Sequence, residues 1–360
     1  MVKAPPEVKQ LSKKELLEKA QSIIESALSD IPFVKIKKSI SNVPIIDKKV
    51  DLVFDILVAG KPTKFIVEVK SLGEPLPVRA AASQINNYVR YFKGSYGILI
   101  APYMSSASRR ICRDEGIGCV DLAGNAFINF KNIYIDKGGK PNPFKINRLS
   151  RSLFAPKSAR ILRVLLSAPL KKWYVENLSK EATISIGLAS RVKRTLLLKE
   201  WIKVEKKGFY LIKPEEVLNQ WVSNYSYERN PSLSYYSGST DDELESVIDS
   251  ECKKRGYEYG LALFSGARRI APFVRSMKFF SYIDGDIQDI AKTLQMKKVE
   301  SGANVTLFQP YDKGIFYGLQ ELNGIKVVSD IQLYLDLKSY KGRGEEAAQA
   351  IFEQKIKPRW

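Results

Sequence analysis

Two strand-length runs, DLVFDILVA at 51–59 and KFIVEVKS at 64–71, flank Gly60-Lys61-Pro62, and their alternation constrains this chain more than any other feature. Strand side chains alternate in direction, so Asp51, Val53 and Asp55 share one face while Ile66, Glu68 and Lys70 share a face of the next run. A hairpin turning near Gly60-Lys61 sets Val53 opposite Glu68 and Asp51 opposite Lys70. Two aspartates, a glutamate and a lysine then gather on one side of adjacent strands. A slip of one residue would disperse them. Such a face has a definite chemistry. Hard carboxylate oxygens suit Mg²⁺ or Mn²⁺, which neutralise a phosphate and activate water. A lysine beside them orients the water and offsets charge developing in a transition state.

The flanking sequence supplies the rest of a small α/β unit. At 12–28 the spacing of Leu16, Leu17, Ala20, Ile23, Ile24, Ala27 and Leu28 predicts one apolar helical face, opened by a Ser12/Glu15 capping box. Strand-like runs cover 33–40, 51–59 and 64–71, with Gly60-Lys61-Pro62 as the turn between the last two. A helix follows at 77–92 and an apolar strand at 97–101; 105–115 reads as helix, and 119–130 and 133–135 as further strands. The order helix, three strands, helix, strand predicts a mixed sheet. DLAGN at 121–125 reads first as a tight turn.

Asp51 or Asp55, Glu68-Val69-Lys70 and the downstream Gln84-Ile85-Asn86-Asn87-Tyr88 together resemble the PD-(D/E)XK nuclease superfamily, including the Q-x-x-x-Y helix of its RecB-like branch. The resemblance covers roughly residues 12–135. It implies a restriction-endonuclease-like fold and a Mg²⁺ or Mn²⁺ cofactor at Asp51, Asp55, Glu68 and Val69. It also implies a catalytic set of Asp51, Asp55, Glu68, Lys70, Gln84 and Tyr88. The Asp-to-Glu spacing varies in that family, so both aspartates stay open, and the proline of its name precedes neither. A first-helix glutamate sometimes assists there; Glu15, Glu18 and Glu25 are the candidates.

Composition enters by exclusion. The chain has no histidine, which removes Ser-His and Cys-His nucleophile pairs, zincins and two-histidine zinc fingers. Hydrolysis must then run on carboxylates, lysine, tyrosine or bound metal. Cys112, Cys119 and Cys252 form no C-x-x-C pair and read as buried free thiols. The net charge of +19 is unevenly spread: residues 1–150 carry +10, 151–230 carry +9 and 231–360 carry zero. That asymmetry points to a polyanion such as DNA or RNA, with double-stranded DNA the expected partner. No apolar run approaches the roughly 20 residues of a membrane span, and the N-terminus lacks a secretory apolar segment. A cytoplasmic protein with no membrane partner is the expectation.

From 158 the pattern changes. SARILRVLLSAP, KKWYVENLSKEA and SIGLASRVKRTLLLKEWI read as three helices, IKVEKKGFYLI as a two-stranded ribbon and PEEVLNQWV as a closing helix. This order predicts a winged helix-turn-helix. Its third helix sets Ser190, Arg191, Lys193 and Arg194 opposite Leu188, Val192, Leu196 and Leu197, as a major-groove reader needs, and the wing adds Lys203, Lys206 and Lys207. These seven are the expected DNA contacts. With the ending VVSDIQLYLDLKSYKGRGEEAAQAIF, residues 158–360 look like winged-helix proteins of the AbiEi antitoxin group. That likeness implies transcriptional regulation, or a cognate toxin or defence partner.

The sequence thus predicts an α/β multi-domain chain: a nuclease-like domain at 1–136, a basic Gly/Pro linker at 137–157 that itself contacts phosphate, a winged helix at 158–230, and an α/β or α+β domain at 231–360. The functional expectation is a Mg²⁺-dependent DNA endonuclease with a winged-helix reader, for which a two-fold homodimer would suit duplex cutting. The alternative is a non-cleaving regulator or antitoxin of a type IV toxin–antitoxin or defence system.

Overall fold

The computed structural model describes residues 12–29, 31–45, 48–144, 153–271 and 278–360. The chain forms two compact units, Met1–Ser150 with Leu198–Glu200, and Arg151–Leu197 with Trp201–Trp360.

In the first unit, α1 (Lys13–Ser29) opens with the expected capping box: the Ser12 N–H donates to Glu15 Oε2 at 2.7 Å, and the Glu15 N–H to Ser12 Oγ at 3.2 Å. Leu16, Ala20, Ile24 and Leu28, four residues apart, are buried along it. Strands β1 (Val34–Ile45), β2 (Lys48–Val58) and β3 (Lys61–Val69) form an antiparallel meander. Helices α2 (Pro75–Tyr91) and α3 (Ser106–Asp114) carry the crossovers to the parallel strands β4 (Tyr96–Ala101) and β5 (Gly118–Asp121), and β6 (Ala126–Phe130) and β7 (Ile133–Lys137) complete the sheet. The strands lie in chain order, β1 to β7. Phe54, Phe65, Val67, Ile98 and Ile100 pack toward α1. Leu99 and Ala101 pack toward α2 and α3 with Val78, Ala82, Ile85 and Cys112. A Cβ added to Gly97 would lie 2.1 Å from Ile85 Cγ2, so glycine here lets α2 seat directly on β4.

Three local expectations are corrected. The β2–β3 turn is Ala59-Gly60, with φ of +50° and +78°, whereas Lys61 and Pro62 belong to β3 opposite Val58 and Leu57. Two consecutive positive φ values match the right-handed twist of a two-residue hairpin. Pro62 is tolerated because β3 pairs with β4 only from Phe65 onward. The register therefore sets Val53 opposite Ile66, not Glu68. The shift is two residues, one full side-chain period, so the charged face survives. Strand β1 also runs past the expected end at residue 40 to Ile45, with a bulge between Ile36 and Lys38; as an edge strand it accommodates Pro44.

The second unit begins with α4 (Pro156–Ser167), α5 (Val175–Glu181) and α6 (Ile186–Leu198). A ribbon of β8 (Ile202–Glu205) and β9 (Gly208–Leu211) and then α7 (Pro214–Val222) follow. Helix α5 is shorter than expected because Trp173 leaves the helix to bridge the ribbon, its N–H and C=O bonding Phe209 at 2.8 and 2.9 Å. Gly208 permits this approach; a Cβ there would meet the Trp173 carbonyl at 2.7 Å.

Next come β10 (Ser232–Tyr236), α8 (Asp241–Arg255), β11 (Glu258–Leu261), α9 (Leu263–Ile270), β12 (Phe279–Asp284), α10 (Ile287–Thr293), β13 (Lys297–Lys298) and β14 (Val305–Phe308). After β15 (Gln320–Leu322) and β16 (Ile325–Val327), the chain ends in α11 (Asp330–Lys338), α12 (Gly344–Ile351) and short turns. Their sheet has the order β13-β10-β14-β12-β11-β16-β15. One apolar core runs from Leu153 to Ile356, joining the helix–ribbon segment to this sheet. Residues 145–152 of the expected linker lie outside the described residues. Among the described residues no helix is long and apolar enough to cross a membrane. Cys112, Cys119 and Cys252 are buried free thiols.

Candidate active site and nucleic-acid interface

The charged face of β2 and β3 meets α2. Asp51 precedes the last paired residues Leu52 and Val67, which brings it level with Glu68 across the two strands. Both carboxylates are buried, at 4% exposure each. Asp51 Oδ2 accepts the Val69 N–H at 2.8 Å, and its Oδ1 pairs with Lys13 Nζ at 2.9 Å. Glu68 Oε1 accepts from Lys70 Nζ at 2.8 Å and from Gln84 Nε2 at 3.2 Å. Lys70 Nζ also donates to Gln84 Oε1 at 3.2 Å, and Gln84 Nε2 reaches the Tyr88 hydroxyl at 2.6 Å. The four-residue spacing of Gln84 and Tyr88 puts both on the α2 face turned to the sheet. Four of the expected residues, Glu68, Lys70, Gln84 and Tyr88, therefore form one hydrogen-bonded group, and Asp51 is held beside it by the Val69 N–H.

Asp55 is not. It pairs with Lys64 at the hairpin end, four strand residues from Asp51, a separation of about 13 Å. Of the glutamates considered on α1, Glu15 serves the capping box, Glu18 is exposed and Glu25 accepts from Gln21 at 2.9 Å; none of these contacts is in the group. Lys13 reaches Asp51, and an acid-seeking reading of the helix passes over it. Its signal lay in its place one residue after the N-cap, where a long side chain can reach back over the end of the sheet.

Burial raises the Glu68 carboxyl above its ordinary range, with the Lys70 ammonium opposing. The hydrogen bond and charge of Asp51 hold the Lys13 ammonium above its own. Glu68 Oε2 is buried with no hydrogen-bond partner among the described residues, an expensive state for a carboxylate oxygen unless a cation or water meets it. Two adjacent hard carboxylates fit Mg²⁺ or Mn²⁺, which keep several waters and need few protein ligands. A closed protein cage does not fit: among the described residues no group of three or more His, Cys, Asp or Glu could hold a metal. Asp121 is committed elsewhere, accepting from the Met104, Ala123 and Asn125 backbones and from Asn125 Nδ2, which fixes the DLAGN turn.

In the second unit, α6 buries Ala189, Val192 and Leu196 and exposes Ser190, Arg191 and Arg194. Lys193 instead lies over the Phe209 ring, 5.1 Å from its centroid. Lys206 and Lys207 are exposed at the ribbon turn, while Lys203 shares Glu205 with Lys172 at 3.5 and 2.6 Å. Of the expected cations, Arg191, Arg194, Lys203, Lys206 and Lys207 are exposed.

Residues 210–357 match the family of transcriptional regulators described as AbiEi antitoxin, type IV TA system. Among solved structures, a repair endonuclease from Pyrococcus abyssi is similar at 22% identity and a TM-score of 0.24, over 32% of this chain and 48% of that one. EndoMS bound to double-stranded DNA is similar at 20% and 0.20, over 27% and 41%. SfsA from Pyrococcus furiosus, in complex with Ca²⁺, is similar at 12% and 0.21, over 36% and 66%. The chain spans less than half the length of the two endonucleases. No curated protein matches it.

Proposed function

We propose that this chain is a divalent-cation-dependent endonuclease acting on double-stranded DNA, with the helix–ribbon segment as a winged-helix reader of the duplex. The observation that carries the reading is Glu68, a buried carboxylate with one unpartnered oxygen level with Asp51 and bonded to Lys70. Asp51 and Glu68 would hold Mg²⁺ or Mn²⁺, which supplies phosphate charge neutralisation and an activated water. Lys70, fixed by Glu68 and Gln84, keeps one N–H donor to orient that water, and its charge steadies the phosphate oxygens. Gln84 and Tyr88 position the lysine. The exposed Arg191, Arg194, Lys206 and Lys207 supply the groove and phosphate contacts that hold the duplex.

Plasmid cleavage in Mg²⁺ or Mn²⁺, run beside Glu68→Ala and Lys70→Ala, tests the reading. The expected result is cleavage by wild type, none by Glu68→Ala, and a loss of roughly 100-fold or more in Lys70→Ala. Wild-type protein that cuts no duplex, single-stranded or branched substrate with either metal sinks it. The match of residues 210–357 to antitoxin regulators favours a second reading, in which the same duplex contacts serve repression, alone or with a cognate toxin. Unchanged operator-type binding without cleavage would select that one.

A further inference from the structure

Lys13 lies where a cation would be expected. Its ammonium is 2.9 Å from Asp51 Oδ1 and close enough to Glu68 to act on both carboxylates by charge. The two ends of the contact differ sharply: the Lys13 side chain is 71% exposed and the Asp51 side chain 6%. The carboxylate is fixed by the sheet and the Val69 N–H, whereas the lysine is a long arm from the first residue of α1 with water on its far side. A buried carboxylate pair needs positive charge. A surface lysine supplies one unit of it reversibly, since such a stem carries high rotamer entropy.

We propose that Lys13 is a tethered counterion, holding Asp51 and Glu68 in the metal-free protein and displaced when a divalent cation binds. This rests on the metal reading given above. The ammonium and the cation compete for Asp51 Oδ1, so Lys13 weakens divalent binding while keeping the empty pair from repelling itself. Displacement also frees an exposed positive arm beside the two carboxylates.

Mn²⁺ binding to the full-length protein without DNA, read from the loss of the free-ion electron paramagnetic resonance signal, separates the possibilities. The variants are Lys13→Met, which keeps the aliphatic stem, Lys13→Arg, and Lys14→Met, which removes the same charge one residue along. Glu68→Ala identifies the site-specific component of binding. Lys13→Met is expected to tighten that component roughly twofold to tenfold, the worth of one ion pair with one buried partner, with Lys13→Arg and Lys14→Met near wild type. Equal tightening by Lys14→Met would assign the effect to the general field and overturn the proposal. So would unchanged or weaker binding in Lys13→Met, although the metal site itself would stand. No Glu68-dependent Mn²⁺ binding in any variant removes the metal site and the counterion role together.

Discussion

At the residue scale, position along a strand separates two aspartates that alternation alone treats alike. Asp51 is buried level with Glu68, and Asp55 is spent on Lys64 at the hairpin. Asp51→Asn should therefore abolish metal-dependent cleavage, while Asp55→Asn should keep it within about twofold, because exposed pairs contribute little; the reverse pattern in a plasmid assay would reassign the site. A second buried carboxylate lies in the other unit. Asp336 Oδ1 accepts from the Tyr225 and Tyr282 hydroxyls at 2.6 and 3.1 Å and from Gln332 Nε2 at 2.8 Å. Burial pushes its carboxyl up to about 7 from an ordinary 3.8. The folded chain then holds a proton that the unfolded chain releases, so this contribution is full below about pH 4 and is lost as pH rises toward 7. Asp336→Asn cannot lose a proton. Its urea midpoint should improve relative to wild type between pH 5 and 7.5, and a pH-independent difference would contradict the assignment.

At the scale of elements, the hairpin is the informative case. Both turn residues need positive φ, and Ala59 at +50° bears the strain that glycine or asparagine would escape. Ala59→Asn should stabilise the protein by roughly 0.5–1 kcal/mol and Ala59→Val should destabilise it, read as opposite shifts of the urea midpoint. The sequence points to a turn at Gly60 but not to its partner residue. Pro62, a turn former by composition, belongs to the strand because no neighbour needs its missing N–H. Trp173 is a parallel case: helix-compatible in sequence, it is drawn out by two backbone bonds to Phe209. At Trp173 a tertiary partner outweighs local helix propensity, which for such a residue is worth only tenths of a kcal/mol.

For the molecule as a whole, charge is segregated along the chain: +10 and +9 over residues 1–150 and 151–230, and zero over 231–360. Duplex affinity should accordingly fall steeply with salt. The double variant Arg191→Glu, Arg194→Glu should weaken binding and flatten the log Kd against log salt slope by about two phosphate contacts. Fluorescence anisotropy with an unchanged slope would place the duplex elsewhere. Residues 231–360, neutral in sum, share one continuous core with the helix–ribbon segment.

The sequence by itself determined the α1 helix and its cap, the three meander strands, the sharing of one face by Asp51, Glu68 and Lys70, the helix–ribbon order and the exclusion of histidine chemistry. Periodicity, capping and composition are local quantities, and a two-residue register error leaves a strand's face unchanged. Only the tertiary structure set Asp51 rather than Asp55 level with Glu68, brought Lys13 to the carboxylates, turned Lys193 back onto Phe209 and left Glu68 Oε2 unpartnered. Each of these depends on distance between residues far apart in the chain, or on which partner reaches a side chain first. No local pattern encodes that.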